Sequence, residues 1–500
     1  MIAAVSSLDP RTPIIVGAGQ VTYRRGTDPG GPLDLMVEAA RLAAADAGAG
    51  GDALLARADS VAVVDVFSWP TPDPGALLGD ALGLAPRETV RTVVGGNGPI
   101  ALLGDLATRI AAGDLDVALL AGGEVVSRFR AAMSGGEPTG WPIQPDGTSP
   151  TRVIGHDRPP SHDAELAAGL AVPVNYYPLF EHVLRHAAGR TTAEQQAWIG
   201  SWWSRYSDVA AAHPQGWERD AVDATTVATP SPGNRPISDP YLKSMVANIT
   251  VDQGAALLVT SVGAAEAAGV PRDRWVFVHA TAGAADHWFV GERDRLDRSP
   301  AIAAAGRALF AHAGTGPGDI GLVDLYSCFP CAVQIGANEL GLAVDGRDPL
   351  TVTGGLHYFG GPANDYVTHA IATLVERVRE RPDERALSSA VGWYMTKHGL
   401  ALLSGRPPAT PYAHLDVQDE VDRGPRREIA VGATGAWTVE TYTALHDREG
   451  APGIGTVVAR HEDGRRAFAR SDDRATLERL LASEPIGGPV ELDGDGGFAL

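Results

Sequence analysis

The sequence predicts a layered α/β fold built from two similar halves, and three observations predict it. Strand-like runs alternate with amphipathic helical runs through most of residues 13–404, and such alternation implies a parallel or mixed sheet covered on both faces. The order strand, helix, strand, glycine turn, helix, strand occurs twice, as in a duplicated unit. Four distinctive turns stand at C-terminal ends of strands: GGNGP at 95–99, YSCFP at 326–330, GGP at 360–362 and MTKHG at 395–399.

The elements follow from periodicity and punctuation. Residues 13–19 (PIIVGAG) read as a buried strand, and 35–47 as an amphipathic helix stopped by Gly48. A strand at 60–66, a short helix at 76–84 and a strand at 89–94 lead into the first glycine turn and a helix over 100–112. A strand at 117–121 closes on Gly122, Gly123 and Glu124. Residues 127–244 change character, with scattered Pro, Gly and Trp and one convincing helix at 192–211; they read as a large excursion from the layered core. The pattern returns with a strand at 254–260 and a helical turn at 264–268.

The second series has a strand at 276–280, a helix at 300–313, and a strand at 320–325 followed by a helix ending at 340. Residues 351–372 (TVTGGLHYFGGPANDYVTHAIA) organise this half. A short strand around Leu350 and Val352, a glycine-rich turn and a helix capped by Asn364 or Asp365 form the order expected where backbone must approach a ligand. Strands at 388–393 and 400–403 flank the last turn. After Pro407 and Pro408 the chain reads as short strands at 436–446, 455–460 and 466–471 with a helix at 473–481, a small barrel-like β domain. The expected partition is 1–126, an inserted loop domain at 127–244, a return at 245–272, the second half at 273–406 and the added domain at 407–500.

Five hundred residues suffice for several domains and a large core. A formal charge of −20 argues against a nucleic-acid partner, though not against a small anion in a local basic pocket. No apolar stretch is long enough to span a membrane, and the first residues lack a basic segment ahead of an apolar core, so a cytoplasmic location is expected. Cys328 and Cys331 are the only cysteines; with no second pair, two buried thiols are expected rather than a metal or redox site. Lys243 and Lys397 are the only lysines in an arginine-rich chain, which flags positions where a compact ammonium stands in place of a planar fork.

In order and spacing the four turns, with AGGE at 121–124, resemble the thiolase superfamily; VDLYSCFP looks like the HDCF-type turn of sterol-carrier-type thiolases. The resemblance spans about residues 13–404, and the tail (TVETYTALHDREG, DGRRAF) resembles the added domain of thiolase-like proteins of type 1. It implies a duplicated αβαβα fold whose loop domain helps hold coenzyme A, and four catalytic positions. Here those positions fall at Gly96 (nucleophilic cysteine), Tyr326 (Asn or His), Gly361 (histidine) and about Met395 (acid–base cysteine), so none carries the conventional residue.

Without that cysteine an acyl group is not expected to be held covalently. Candidate acid–base groups are Tyr326, His357, Tyr358, Lys397 and His398, with His398 preferred over Lys397 to face the pocket because of its ordinary pKa of about 6.5. Gly96, Asn97, Gly98, Gly360, Gly361 and Gly399 are candidate ligand-binding backbone positions. Arg128, Arg130, Arg152, Arg158, Arg185, Arg190 and Arg205 are candidates for the phosphates of coenzyme A. Three functions are open: an acyl-CoA-handling, acyltransferase-like protein of lipid metabolism, a retro-aldol lyase on a 3-hydroxyacyl-CoA, and a non-catalytic CoA-thioester binder. No resident cofactor or metal is expected, with acyl-CoA or CoA the ligand and a monomer or homodimer the assembly.

Overall fold

The computed structural model describes residues 8–24, 27–28, 30–346 and 348–500. Its strands are β1 Pro13–Thr22, β2 Ser60–Val63, β3 Glu88–Thr92, β4 Val117–Val125, β5 Arg152–Ile154, β6 Pro236–Ser238, β7 Tyr241–Leu242, β8 Asp252–Ser261 and β9 Val276–Ala285. They continue with β10 Ile320–Asp324, β11 Arg385–Gly392, β12 Lys397–Ser404, β13 Ala413–Asp416, β14 Thr434–His446, β15 Pro452–Arg460, β16 Arg466–Ser471, β17 Pro489–Asp493 and β18 Phe498–Ala499.

Two half-sheets make the core, in the orders β1-β8-β4-β2-β3-β5 and β9-β12-β11-β10. Among the described residues they pair with each other only where Ile14 and Ile15 of β1 meet Phe277 and Val276 of β9. The duplication is visible in direction as well as order. β8 runs antiparallel to β1 and β4, as β12 does to β9 and β11, while β2 and β4 pair parallel, as β10 and β11 do. The counterpart of β3 would lie at 350–352, where a strand was expected. No strand forms there; one bond, Leu325 N–H to Leu350 O, ties that stretch to the end of β10.

Alternation along the strands splits the core into layers. Val117, Leu119 and Ala121 of β4 join one cluster with the outer helices Pro32–Asp46 and Val262–Ala268, while Ala118 and Leu120 join the other with the helix Gly98–Ala112. That helix and Tyr366–Glu380 lie between the half-sheets, touching strands of both. Residues Tyr366 to Val375 are all buried, so this helix is apolar or internally hydrogen-bonded on every side over its first turns. Pro300–Ala313 and Pro330–Leu340 cover the second half-sheet's other face.

The insert holds a second long helix, Pro173–Ala187, besides Thr192–Ala212. Pro178 lies inside it and reads as a breaker in the sequence, yet Tyr176, Tyr177, Leu179 and Phe180 are all buried around it, and that packing outweighs the lost bond. The tail corrects the barrel-like expectation. Its sheet, β16-β15-β14-β17-β18, is open, and β6 of the insert adds to β14 through the pair Leu445 and Ser238.

Candidate active site

Five turns meet at the start of the helix Gly98–Ala112. Gly95 N–H donates to Asn364 Oδ1 at 2.9 Å, and Asn364 Nδ2 donates to Asp65 O at 3.0 Å and Asp65 Oδ2 at 3.3 Å. Lys397, the first residue of β12, donates from Nζ to Val94 O. Tyr326 lies two residues past β10, against the same helix start. A β-carbon at Gly96 would sit 2.4 Å from Tyr326 Oη and 2.6 Å from Val391 O, so no side chain fits there. Gly95, at φ 149°, is closed in the same way by Lys397 Nζ and Asn97 Oδ1.

Lys397 is buried, and burial lowers its pKa to about 8 against the pull of Asp157 and Asp65, which favour the charged form. Its ammonium lies 5.8 Å from the centre of the Trp393 ring. Burial raises the Asp65 carboxyl above the usual carboxylate range, with Arg91 opposing it. Tyr326 donates its N–H to Ser389 Oγ at 2.8 Å and sets its ring edge-on to Tyr366, but its hydroxyl bonds to no described residue. Burial raises that phenol's pKa, so it holds its proton at neutral pH. The N–H groups of Gly96 and Asn97 also lack partners among the described residues. They point from a helix start, where partial positive charge collects.

The other candidates are placed elsewhere. Lys397 and His398 do point to opposite sides of their strand, but the expected preference is reversed: Lys397 faces the glycine turn. His398 Nε2 lies 3.1 Å from Asp286 Oδ2 and 3.0 Å from Met395 O, and Asp286 in turn accepts from Ser299 Oγ and Ala301 N–H at the next helix. His357 Nδ1 lies 2.6 Å from Val246 O, and burial lowers its pKa to about 4. Tyr358, edge-on to His357, has a buried hydroxyl without a partner among the described residues. Neither is hydrogen-bonded or ring-stacked to Tyr326 or Lys397, because the short helix Gly355–Tyr358 packs on Tyr206 and Ala210 of the insert.

Among the glycines, Gly96 offers a free N–H, with the backbone N–H of Asn97 beside it. Gly98 N–H is taken by Gly95 O and Gly361 N–H by Asn248 O. Gly360, at φ 113°, lies where a β-carbon would meet Gln253 Oε1, and Gly399 packs on Ile100.

Both cysteines are free and buried, and burial pushes the Cys328 thiol up to about 12. Six of the seven loop arginines already have partners, such as Arg152 with Asp105 and Arg185 with Glu484. Arg158, over Trp288 and Phe289, makes no ion pair or hydrogen bond among the described residues. Among the described residues no cluster of three or more His, Cys, Asp or Glu side chains is arranged to hold a metal.

Sequence reasoning missed Asp65, and read Asn364 and Asp365 only as possible caps. Asp65 had a signal: it lies two residues past β2, as Tyr326 does past the corresponding β10. It also missed the acid behind the turn, Glu124, which accepts from Phe67 N–H, Ser68 N–H and Ser68 Oγ, and whose pKa burial raises to about 7.

Residues 416–497 match the family described as the thiolase-like protein type 1 additional C-terminal domain. The crystal structure of a monomeric SCP2-thiolase-like protein type 1 from Mycobacterium smegmatis is 31% identical, covering 99% of this chain and 100% of that one, with a TM-score of 0.84. The Ltp2-ChsH2(DUF35) aldolase is 20% identical over 79% of this chain and 99% of that one (TM-score 0.60). The dimeric peroxisomal thiolase of Saccharomyces cerevisiae is 13% identical over 79% and 98% of the two chains (TM-score 0.57). No curated protein sequence matches. With a full-length relative at this identity and the added domain matched independently, the chain belongs to the thiolase-like proteins of type 1, within the thiolase superfamily.

Proposed function

We propose that this protein handles a coenzyme A thioester without an acyl-enzyme and cleaves a 3-hydroxyacyl-CoA by retro-aldol chemistry. The observation that supports this reading is the filling of the helix start: Gly96 leaves no room for a nucleophile, Tyr326 Oη stands against it, and the Lys397 amine is one residue away. Acyl transfer in two half-reactions needs a covalent holder, and the Cys328 thiol near Tyr326 is kept protonated by burial.

The groups present suit a different reaction. Neutral Lys397 takes the proton of the 3-hydroxyl. The C2–C3 bond breaks, its electrons pass to the thioester as an enolate, and C3 leaves as a ketone or aldehyde. The N–H groups of Gly96 and Asn97 stabilise the enolate oxygen. Tyr326 gives its proton to C2, and the Lys397 ammonium restores it. Solvent reaches the site beside exposed Val94 and Asp157, where Arg158 is free to meet a phosphate of the coenzyme. An aldolase among the proteins of similar fold makes the chemistry a fold-level analogy.

The test is product analysis with a panel of 3-hydroxy- and 3-ketoacyl-CoA. We expect a carbonyl product and a shortened acyl-CoA without consumption of free CoA. Lys397→Met should lower turnover at least about a hundredfold and Cys328→Ala less than about tenfold. Consumption of free CoA, or loss of turnover in Cys328→Ala, would overturn the reading. Saturable CoA binding with no turnover on any substrate would replace it with a non-catalytic binder.

A further inference from the structure

The turn that delivers Lys397 is held in an unfavourable backbone shape. Trp393 and Met395 have φ of 56° and 54°, in the left-handed region that side-chain-bearing residues avoid. Such geometry persists only where the surroundings over-determine it. Every carbonyl of the turn is held: Trp393 O by Tyr177 Oη at 2.9 Å, Tyr394 O by Arg293 Nη1 at 2.8 Å, Met395 O by His398, and Thr396 O by Asp286 N–H. Arg293 Nη2 also donates to Thr396 Oγ1 at 2.9 Å, and the Tyr394 ring stacks on Tyr176 at 3.8 Å.

Arg293 is fixed from the C-terminal sheet. Arg466 of β16 is fully buried. Its Nη1 donates to Val290 O, Gly291 O and Arg293 O (3.3, 3.0 and 2.6 Å), and Nε and Nη2 form a fork with Glu440 of β14 at 2.8 and 2.7 Å. Glu165 of the insert accepts Gly291 N–H at 2.7 Å and Tyr176 Oη at 2.9 Å, closing the ring of contacts. A buried guanidinium–carboxylate pair is often no more stabilising than apolar residues of the same volume. Its geometry here does something apolar residues cannot: it pins three carbonyls, those of Val290, Gly291 and Arg293, in the segment that carries Arg293.

We propose that the C-terminal domain serves as a clamp on the Lys397 turn, with Arg466 and Arg293 as its positioning residues. The proposal rests on Lys397 as the working amine of the site. Without the clamp, the strained turn relaxes toward ordinary backbone geometry and the amine moves out of its dry position.

The chain's two lysines make the test clean. Lysine labelled with carbon-13 at Cε reports only Lys397 and the exposed Lys243, in full-length protein, as a function of pH. In the unaltered protein the Lys397 midpoint is expected near 8. In Arg466→Gln it should rise by at least about one unit, a tenfold fall in the neutral fraction, while Lys243 does not move. Glu440→Gln keeps the guanidinium but loosens its fork, and should shift the Lys397 midpoint the same way by less; it decides the matter if Arg466→Gln does not fold. An unchanged Lys397 midpoint in a cooperatively melting variant, or a parallel shift of Lys243, overturns the clamp. The titration needs no substrate, so it stands apart from the lyase assay: failure of turnover leaves its result intact.

Discussion

Lys397 is a cation held where cations are disfavoured, at a helix start and out of water, with its charge balanced only in part by Asp65 and Asp157. Its stability cost has a defined pH window. Below about pH 8 the native and unfolded chains both carry the proton, and the full penalty of burying the ammonium is present. Between about 8 and the ordinary 10.5 only the unfolded chain holds the proton, so stability rises with pH; above 10.5 the penalty is gone. Lys397→Met, which keeps the stem and removes the charge, should therefore stabilise the fold at pH 7 by an amount on the order of 2–3 kcal/mol. The gain should shrink toward zero by pH 10.5. Paired denaturant titrations of the two proteins at pH 7 and 10 check this; an equal difference at both values would mean the amine is not buried in its charged form. Lys397, and not His398, faces the glycine turn: the histidine on the other side of β12 is committed to Asp286 and the start of Pro300–Ala313.

At the scale of elements, the strained turns cluster around the site. Besides Trp393 and Met395, Ala363 has φ of 38°, in the GGPAN loop that presents Asn364 to Gly95 and Asp65. Glycine at 363 removes the Cβ penalty at a position that is only half-buried. Ala363→Gly should be neutral to stabilising by up to about 1 kcal/mol, the reverse of the usual alanine-to-glycine effect. Thermal melting decides it, and a loss of more than about 1 kcal/mol would show that the left-handed geometry is not strained. The regular elements were legible because periodicity and caps act locally: Pro300–Ala313 is bounded in the sequence by Ser299 and Pro300 at one end and Gly314 at the other. What was not legible depends on partners far along the chain. Leu350 and Val352 have strand composition but gain only one ladder bond. Pro178 sits in a helix kept by burial against the tail and the second half. Asp65 and Asn364 meet across 299 residues of sequence, so only the duplication could have paired their turns.

At the scale of the molecule, the proline-rich, charged segment that follows the second half is part of the core. Residues 407–427 include β13, which pairs parallel with β9, and Tyr412 and His414 both hydrogen-bond to Thr281 of β9. One end of the core sheet is finished by the insert. β3 would be an open edge beside the glycine turn, but β5 pairs with it through Val90 to Arg152 and Thr92 to Ile154. β5 is itself a poor template for a further strand. It is three residues long, Gly155 turns the chain at φ 103°, and His156 to Pro160 follow with two prolines and three ionisable side chains. The edge is therefore closed within one chain, and the protein should run as a monomer of 52.1 kDa by light scattering at all concentrations tested. Ile154→Pro removes an N–H on the side facing β3, the side on which Ile154 O accepts Val93 N–H, and so uncovers β3. It should bring concentration-dependent self-association while the far half-sheet, from β9 to β10, keeps its amide protection in hydrogen exchange. A dimer in the unaltered protein, or an Ile154→Pro variant that stays monomeric with β3 exposed to exchange, would show that something other than β5 governs this edge.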